Sequence, residues 1–196
     1  MLTVKEAIEK RRSIRNFKPE PVPDEMINEM LEAARLAPSG TNRQPWRFQL
    51  ITDPDMKTRL FVDATFGSEC IKKAPLVIAC GSELHTFVKG HKLAPPNSDY
   101  FGADSEDMDE LKKFLPDAHL YTGIAVEHMV LTATSLGLGT CWVQGIKFGQ
   151  VGRMLGWPRH IAVLALLAVG YPDESPEAKP RASLEDIVLK EGNIPE

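Results

Sequence analysis

Arg11-Arg12-Ser13-Ile14-Arg15 places three guanidinium groups and a hydroxyl within five residues. A guanidinium stays charged at any physiological pH and offers a planar fork that matches phosphate oxygens, and the Ser13 hydroxyl adds a donor. Such a cluster at the end of a helix can hold a phosphate monoester. From the pentad alone, a solvated basic face is the simpler account. A second basic pair, Lys179-Pro180-Arg181, follows a strand pattern that ends in Gly170-Tyr171-Pro172. Two clusters this remote can converge on one phosphate, although sequence alone does not bring them together. Ser39, Asn42 and Gln44 form a third group whose amides and hydroxyl can read the polar edge of a heterocycle. Turn chemistry explains the Ser, Gly and Asn of that loop equally well.

Other chemistries lack their residues. Gly137-Leu138-Gly139 begins like a dinucleotide fingerprint, but Trp142 stands where the third glycine belongs. The segment also follows a helical pattern and precedes a strand, the reverse of the required context. No phosphate-loop, nucleophile-elbow or His-Glu-x-x-His pattern occurs. The five histidines, His85, His91, His119, His128 and His160, show no ligand spacing and read as ordinary surface or satisfied core residues, so no metal is expected. Cys70, Cys80 and Cys141 form no Cys-x-x-Cys pair, which argues against a zinc ribbon or dithiol motif and for a reducing compartment. Cys141 reads as a small buried residue and Trp142 as a core aromatic on a strand.

The elements that would position these groups follow from periodicity. Thr3 to Arg11 predicts a short helix, and Pro23 opens a second that runs to about Leu36 with Met26, Ile27, Met30, Leu31 and Ala34 on one face. Pro38 to Asn42 is a turn-rich loop. Trp46 to Thr52 alternates as a strand, Asp53 to Ala64 suits a helix, and Leu76 to Cys80 reads as a buried strand stopped by Gly81. Gly81 to Asp117 is irregular, with six acids and no bases between Asp99 and Glu110, and is expected to be an insertion or lid. His119 to Leu136 is apolar on most sides, so it must be buried centrally or against a partner. Thr140 to Gln144 and Ile161 to Tyr171 read as strands around a short helix near Phe148 to Leu155. Pro172 to Glu196 is a proline-rich, charged tail with one helical turn near Leu184 to Leu189.

The chain has 196 residues, 43% hydrophobic and 26% charged, with a net charge of −4. That is one ordinary globular domain over residues 1–196, and it disfavours general nucleic-acid binding or a polybasic membrane anchor. The longest apolar run, Ile161 to Val169, is far short of the roughly 20 residues that span a bilayer. With no signal-like N-terminus, a cytoplasmic protein is expected.

Four segments in register resemble the FMN-dependent nitroreductase family: Arg11 to Arg15; Ala37-Pro38-Ser39-Gly40-Thr41-Asn42-Arg43-Gln44-Pro45-Trp46; Gly137 to Trp142; and Gly170-Tyr171-Pro172 with Lys179 and Arg181. The match spans almost the whole chain, least well from Gly81 to Asp117. The resemblance implies an α/β (α+β) three-layer fold, a mixed and mainly antiparallel sheet flanked by helices, and a homodimer with FMN at the subunit interface. Arg11, Arg12, Ser13 and Arg15 would hold the phosphate, ribityl chain and pyrimidine edge, and Lys179 and Arg181 would complete the phosphate site. Pro38, Ser39, Asn42 and Gln44 would come from the other subunit. Val143, Gln144 and Gly145 would lie beside the flavin ring, the Gln144 backbone N–H near N5.

The implied activity is reduction of nitroaromatics, quinones or similar electron-poor acceptors by NAD(P)H, with ping-pong kinetics. The flavin does the chemistry, so no catalytic side chain is required. An FMN carrier or sensor with little turnover is the alternative, and an arginine-rich nucleotide-binding face on a scaffold is a third reading. The chain departs from the family where Tyr121 replaces an Asp often found two residues before a Gly-Ile/Val-Ala stretch. The deiodinase branch clamps an amino-acid substrate with Glu, Tyr and Lys; Tyr100 and Lys112 occur here without that spacing, so that activity is not carried over.

Overall fold

The computed structural model describes residues 2–95 and 102–189. Helix α1 (Val4–Lys10) opens with a capping box: Thr3 Oγ1 accepts from the Glu6 N–H, and the Glu6 carboxylate accepts from the Thr3 N–H at 2.8 Å. Helix α2 (Asp24–Arg35) starts one residue after Pro23, which sits at the N-cap rather than inside the first turn. Of the predicted stripe it buries Ile27, Met30 and Ala34, with Met26 and Leu31 partly buried beside them. Strand β1 (Trp46–Ile51) is followed by α3 (Pro54–Arg59), a π-turn over Leu60–Ala64, and the short α4 (Cys70–Lys73), which sequence periodicity did not suggest.

Strand β2 (Leu76–Glu83) runs three residues beyond its expected last residue, Cys80. Gly81, Ser82 and Glu83 therefore belong to the central sheet and not to an insertion. Gly81 punctuates the strand without ending it because the Trp157 ring covers it; an added Cβ would lie 2.3 Å from that ring. After α5 (Met108–Leu111), helix α6 (Leu115–Ser135) begins four residues earlier than its apolar pattern suggested. Strand β3 (Gly139–Val143), α7 (Phe148–Met154), β4 (Ile161–Gly170) and α8 (Leu184–Ile187) complete the order.

The sheet order is β1-β2-β4-β3, and all three pairings are antiparallel. The parallel component expected of a mixed sheet is confined to isolated bridges, notably Ser13 with Thr140. Side chains alternate across the central strands. Leu76, Ile78, Cys80, Leu167 and Val169 pack under α2 and α6, whereas Val77, Ala79, Leu166 and Ala168 pack with Leu60, Ile71 and Val151 on the other face. The result is three layers. A bulge between Cys80 and Gly81 shifts the register with β4, and Leu164 and Ala165 consequently both face the α2–α6 side. Each fully buried Leu or Val on these strands contributes about 1.5–3 kcal/mol relative to exposure.

The expected lid has its own core. Leu84, Phe87, Val88, Ala103, Leu111 and Ala118 cluster, with Phe114 stacked on Phe87 at 5.3 Å. Arg43, buried, lies over Phe87 at 4.6 Å and donates to the Thr86 carbonyl at 2.6 Å, joining this unit to the Pro38–Gln44 loop. Tyr121 of α6 fills the space over Gly40, where any Cβ would meet its hydroxyl. Tyr100 lies outside the described residues, and Lys112 pairs with Asp109 at 2.7 Å. Among the described residues, no helix is long and apolar enough to cross a membrane.

Candidate functional site

Helix α1 delivers Arg11 to its C-terminal end, where a cation complements the helix dipole. The chain then extends beside β3: the Ile14 N–H donates to the Thr140 carbonyl at 2.8 Å. Ile14 packs into the lower core against Gly139, where a Cβ would come within 2.7 Å of it. Sequence and packing thus leave Ser13 and Arg15 flanking a buried Ile14, with Ser13 and Arg15 free to face a ligand.

The tail returns to the same place. The Lys18 N–H donates to the Tyr171 carbonyl at 2.9 Å and the Asp173 N–H to the Asn16 carbonyl at 3.0 Å. One residue on, the Glu174 carboxylate accepts the Arg15 and Asn16 backbone N–H groups, and the Asn16 side-chain amide at 2.8 Å. The Arg15 N–H, followed by the Asn16 contacts, holds the Glu174 carboxyl below the ordinary carboxylate range. This staple directs residues 176–181 across the end of α1.

Arg11, Arg12, Ser13, Arg15, Lys179 and Arg181 consequently border one cavity of about 350 Å³. The two basic segments distant in sequence are brought together. Five cations face two carboxylates, Glu9 and Glu177, around this space. Arg12 Nη1 donates to the Glu9 and Arg11 carbonyls at 2.8 Å, and Arg181 Nη1 to the Lys179 and Pro180 carbonyls at 3.3 Å. Each guanidinium uses one nitrogen on the main chain, leaving the other edge for an anion.

Arg15 also borders a second cavity, of about 510 Å³, with Trp142, Val143, Gln144 and Gly145 along its wall. Gln144 follows the last residue of β3, and its carbonyl accepts the Ile146 N–H at 2.8 Å, a tight turn that takes the backbone off the sheet at the cavity. Gln144 also borders an apolar recess of about 840 Å³ that includes His119, Phe148, Trp157 and Leu164. Trp142 is half-buried and packs against the α2–α6 core, as a strand aromatic should.

Pro38, Ser39, Asn42 and Gln44 are not brought to these cavities within the chain. Asn42 and Gln44 border a separate recess of about 270 Å³ with Arg47 and Thr86. Thr41, Asn42 and Gln44 all adopt positive φ (48° to 59°), and Ser39 Oγ accepts the Gln44 N–H at 2.9 Å. Three residues of one loop, Thr41, Asn42 and Gln44, held in the left-handed region are a costly arrangement, of about 1–3 kcal/mol each.

Some site residues carried no sequence signal. Glu174 and Asn16 matter only through contacts 158 residues apart. Lys73 reaches Asn16 Oδ1 at 3.2 Å and Glu69 at 2.8 Å on the edge of the larger cavity. Cys141 is buried, as expected, but it is not an isolated small residue. The Cys70 thiol beside it at the cavity wall, with Arg15 nearby, pulls Cys141 below the ordinary thiol range, and Cys70 is pushed up. Three of the five histidines, His85, His91 and His160, also converge, outside the linings of the 350 and 510 Å³ cavities.

The sequence model of the nitroreductase family matches residues 8–171. A Thermus thermophilus protein named NADH dehydrogenase is 34% identical over 96% of this chain and 96% of its own length. The Vibrio harveyi NADPH-flavin oxidoreductase is 28% identical over 93% of this chain and 71% of its own. The solved structure of the Vibrio harveyi NADPH:FMN oxidoreductase complexed with NAD+ superimposes with a TM-score of 0.80 and 26% identity, covering 98% of this chain and 78% of that one.

Proposed function

The chain belongs to the nitroreductase family of oxidoreductases, and from that premise we propose that it is an FMN-dependent NAD(P)H oxidoreductase acting on nitroaromatics, quinones or similar electron-poor acceptors. The observation that carries this reading is the convergence of Arg11, Arg12, Arg15, Lys179 and Arg181 on one cavity. Five clustered cations repel one another unless an anion joins them, and a phosphate monoester with about −1.5 to −2 charges suits that excess. The second cavity, which shares Arg15, lies beside the strand end where a planar ring would have to sit. The residues present fit the cofactor.

Arg11, Arg12, Ser13, Arg15, Lys179 and Arg181 would hold the phosphate and the neighbouring chain. Val143, Gln144 and Gly145 would flank the ring, with the Gln144 N–H as the donor to its reducible nitrogen and Arg15 lending positive charge. When bound, FMN supplies the two-electron chemistry that links NAD(P)H to the acceptor, in alternating half-reactions at one site. A donor and a cation fixed in advance stabilise developing negative charge at no reorganisation cost. The protein's part is therefore to hold, orient and exclude water.

A homodimer completes the site in this reading. Pro38, Ser39, Asn42 and Gln44 would serve the cofactor of the neighbouring protomer, which accounts for their strained loop and their distance from the arginines. The tail side chains Leu184, Ile187, Val188 and Leu189 are 57–75% exposed within one chain, an apolar strip suited to clasping a second copy.

The test is reconstitution with FMN. Arg12→Ala combined with Arg181→Ala should remove about 3 kcal/mol or more of charge-assisted hydrogen bonding, about 100-fold or more in Kd. Anaerobic mixing with NADH or NADPH should bleach the bound flavin rapidly. A wild-type protein that gains no flavin absorbance with FMN overturns the reading, and slow bleaching of tightly bound flavin would make the protein a carrier.

A further inference from the structure

Glu83, His85 and His160 present one ligand atom each within 4.8 Å of one another, and from this cluster we propose a binding site for a divalent transition-metal ion of the zinc class. Strand pairing builds the site. Glu83 is the last residue of β2 and pairs with Ile161, the first of β4, so His160 is carried alongside Glu83. The Leu84 N–H donates to the His160 carbonyl at 2.8 Å, which fixes that junction. His85 follows on a 3-10 turn (Leu84–Phe87) that Glu83 itself caps, accepting the His85 N–H at 3.1 Å.

The donor atoms face one another. His85 Nδ1 lies 3.6 Å from Glu83 Oε1, and His160 Nε2 lies 3.9 Å from Glu83 Oε2. Ligands of a tetrahedral zinc with bonds near 2.0–2.1 Å stand about 3.3 Å apart. The His160 ring, stacked on His85 with centroids 4.0 Å apart, has to turn out of that stack to supply the closure. Imidazole with one carboxylate is a donor set suited to zinc and its neighbours rather than to calcium or magnesium.

An outer shell is present too. The other nitrogen of His85 faces Glu106 Oε2 at 4.0 Å, the carboxylate–histidine arrangement that orients a metal-bound imidazole. His91 stands beside His85, ring centroids 4.8 Å apart, with its Nε2 3.6 Å from Glu106 Oε1. The Glu83 side chain is 5% exposed, so its carboxylate lies in an environment where counter-charge is strongly felt. Arg47 Nε lies 4.0 Å from Glu83 Oε2, the oxygen His160 also approaches; it supplies part of that charge and moderates affinity for a cation, leaving Oε1 to the His85 side.

None of the three ligand residues borders the phosphate cavity or the cavity beside Val143–Gly145. Five residues of β4, about 17 Å, separate Ile161 from Leu166, which pairs with Val143 at the end of β3. The ion would pin the acidic 104–111 segment, through Glu106, to the sheet end. The inference holds whether or not the protein binds FMN.

The experiment uses the full chain without an affinity tag, stripped by a chelator and titrated with zinc against a chromophoric competitor. One equivalent should bind, with a raised melting temperature. Glu106→Gln should weaken binding about tenfold. His85→Ala with His160→Ala should abolish it, and Glu83→Gln serves as a second probe if that pair fails to fold. His119→Ala with His128→Ala should leave it intact. Cobalt(II) should give visible bands without the thiolate charge-transfer absorption that Cys70 or Cys141 would add. No binding by the wild-type chain, or binding undiminished in the His85/His160 and Glu83 variants, overturns the proposal.

Discussion

Glu174 does not itself line the proposed phosphate cavity, yet it holds Arg15, and the position of Lys179 and Arg181 depends on it. Its carboxylate accepts three hydrogen bonds, from the Arg15 and Asn16 N–H groups and the Asn16 amide. Bonds to a charged acceptor are worth about 1.5–3 kcal/mol when water is excluded. Glu174 is partly exposed, so solvent screening reduces the three together to about 1–2 kcal/mol. Glu174→Ala should let the tail open by that amount and weaken FMN binding about 5- to 30-fold, with no ligand contact deleted. Equilibrium fluorescence titration measures the loss, and limited proteolysis near residues 176–181 should report the freed tail. The folded carboxyl titrates below its unfolded value, because hydrogen bonds favour its charged form. Its contribution is therefore complete above the ordinary carboxylate range and lost as pH falls through the folded value. The gap between wild type and variant should close in acid. An unchanged Kd at neutral pH, with melting temperature intact, would refute the reasoning that this staple shapes the cavity.

Two further outcomes follow from the same geometry. Gly139→Ala drives a Cβ to within 2.7–3.0 Å of three Ile14 atoms, so it should lower stability by about 1–3 kcal/mol and FMN retention with it; a thermal melt and a flavin titration check both, and a silent variant would mean that Ile14 does not hold Ser13 and Arg15 in place. Cys141, drawn below the ordinary thiol range by Cys70 and Arg15, should be alkylated by iodoacetamide well before Cys80, whose burial pushes its thiol up, and bound FMN should protect it; mass spectrometry of partially labelled protein with equal labelling at both positions would exclude this.

The parts legible in sequence were those fixed by local patterning. The α2 stripe, the alternation of β1 and the apolar β4 each need only neighbours within a few residues, and each appears within a residue or two of its expected span. The arginine pentad was visible as chemistry, but its purpose depended on a tail whose anchor, Glu174, gives no signal until a chain 158 residues away folds against it. The end of β2 misled for a physical reason. Gly81 reads as a stop because glycine weakens a strand, but here a bulge opposite it and the Trp157 ring above it require the missing side chain. The histidines are silent in sequence for a physical reason. His85 and His160 stand 75 residues apart, so no spacing rule joins them; antiparallel pairing of Glu83 with Ile161 does. A ligand set assembled by sheet register leaves its trace in the strand partners and not in the motif, whereas the phosphate centre shows half of itself as a motif and hides the other half in the tail.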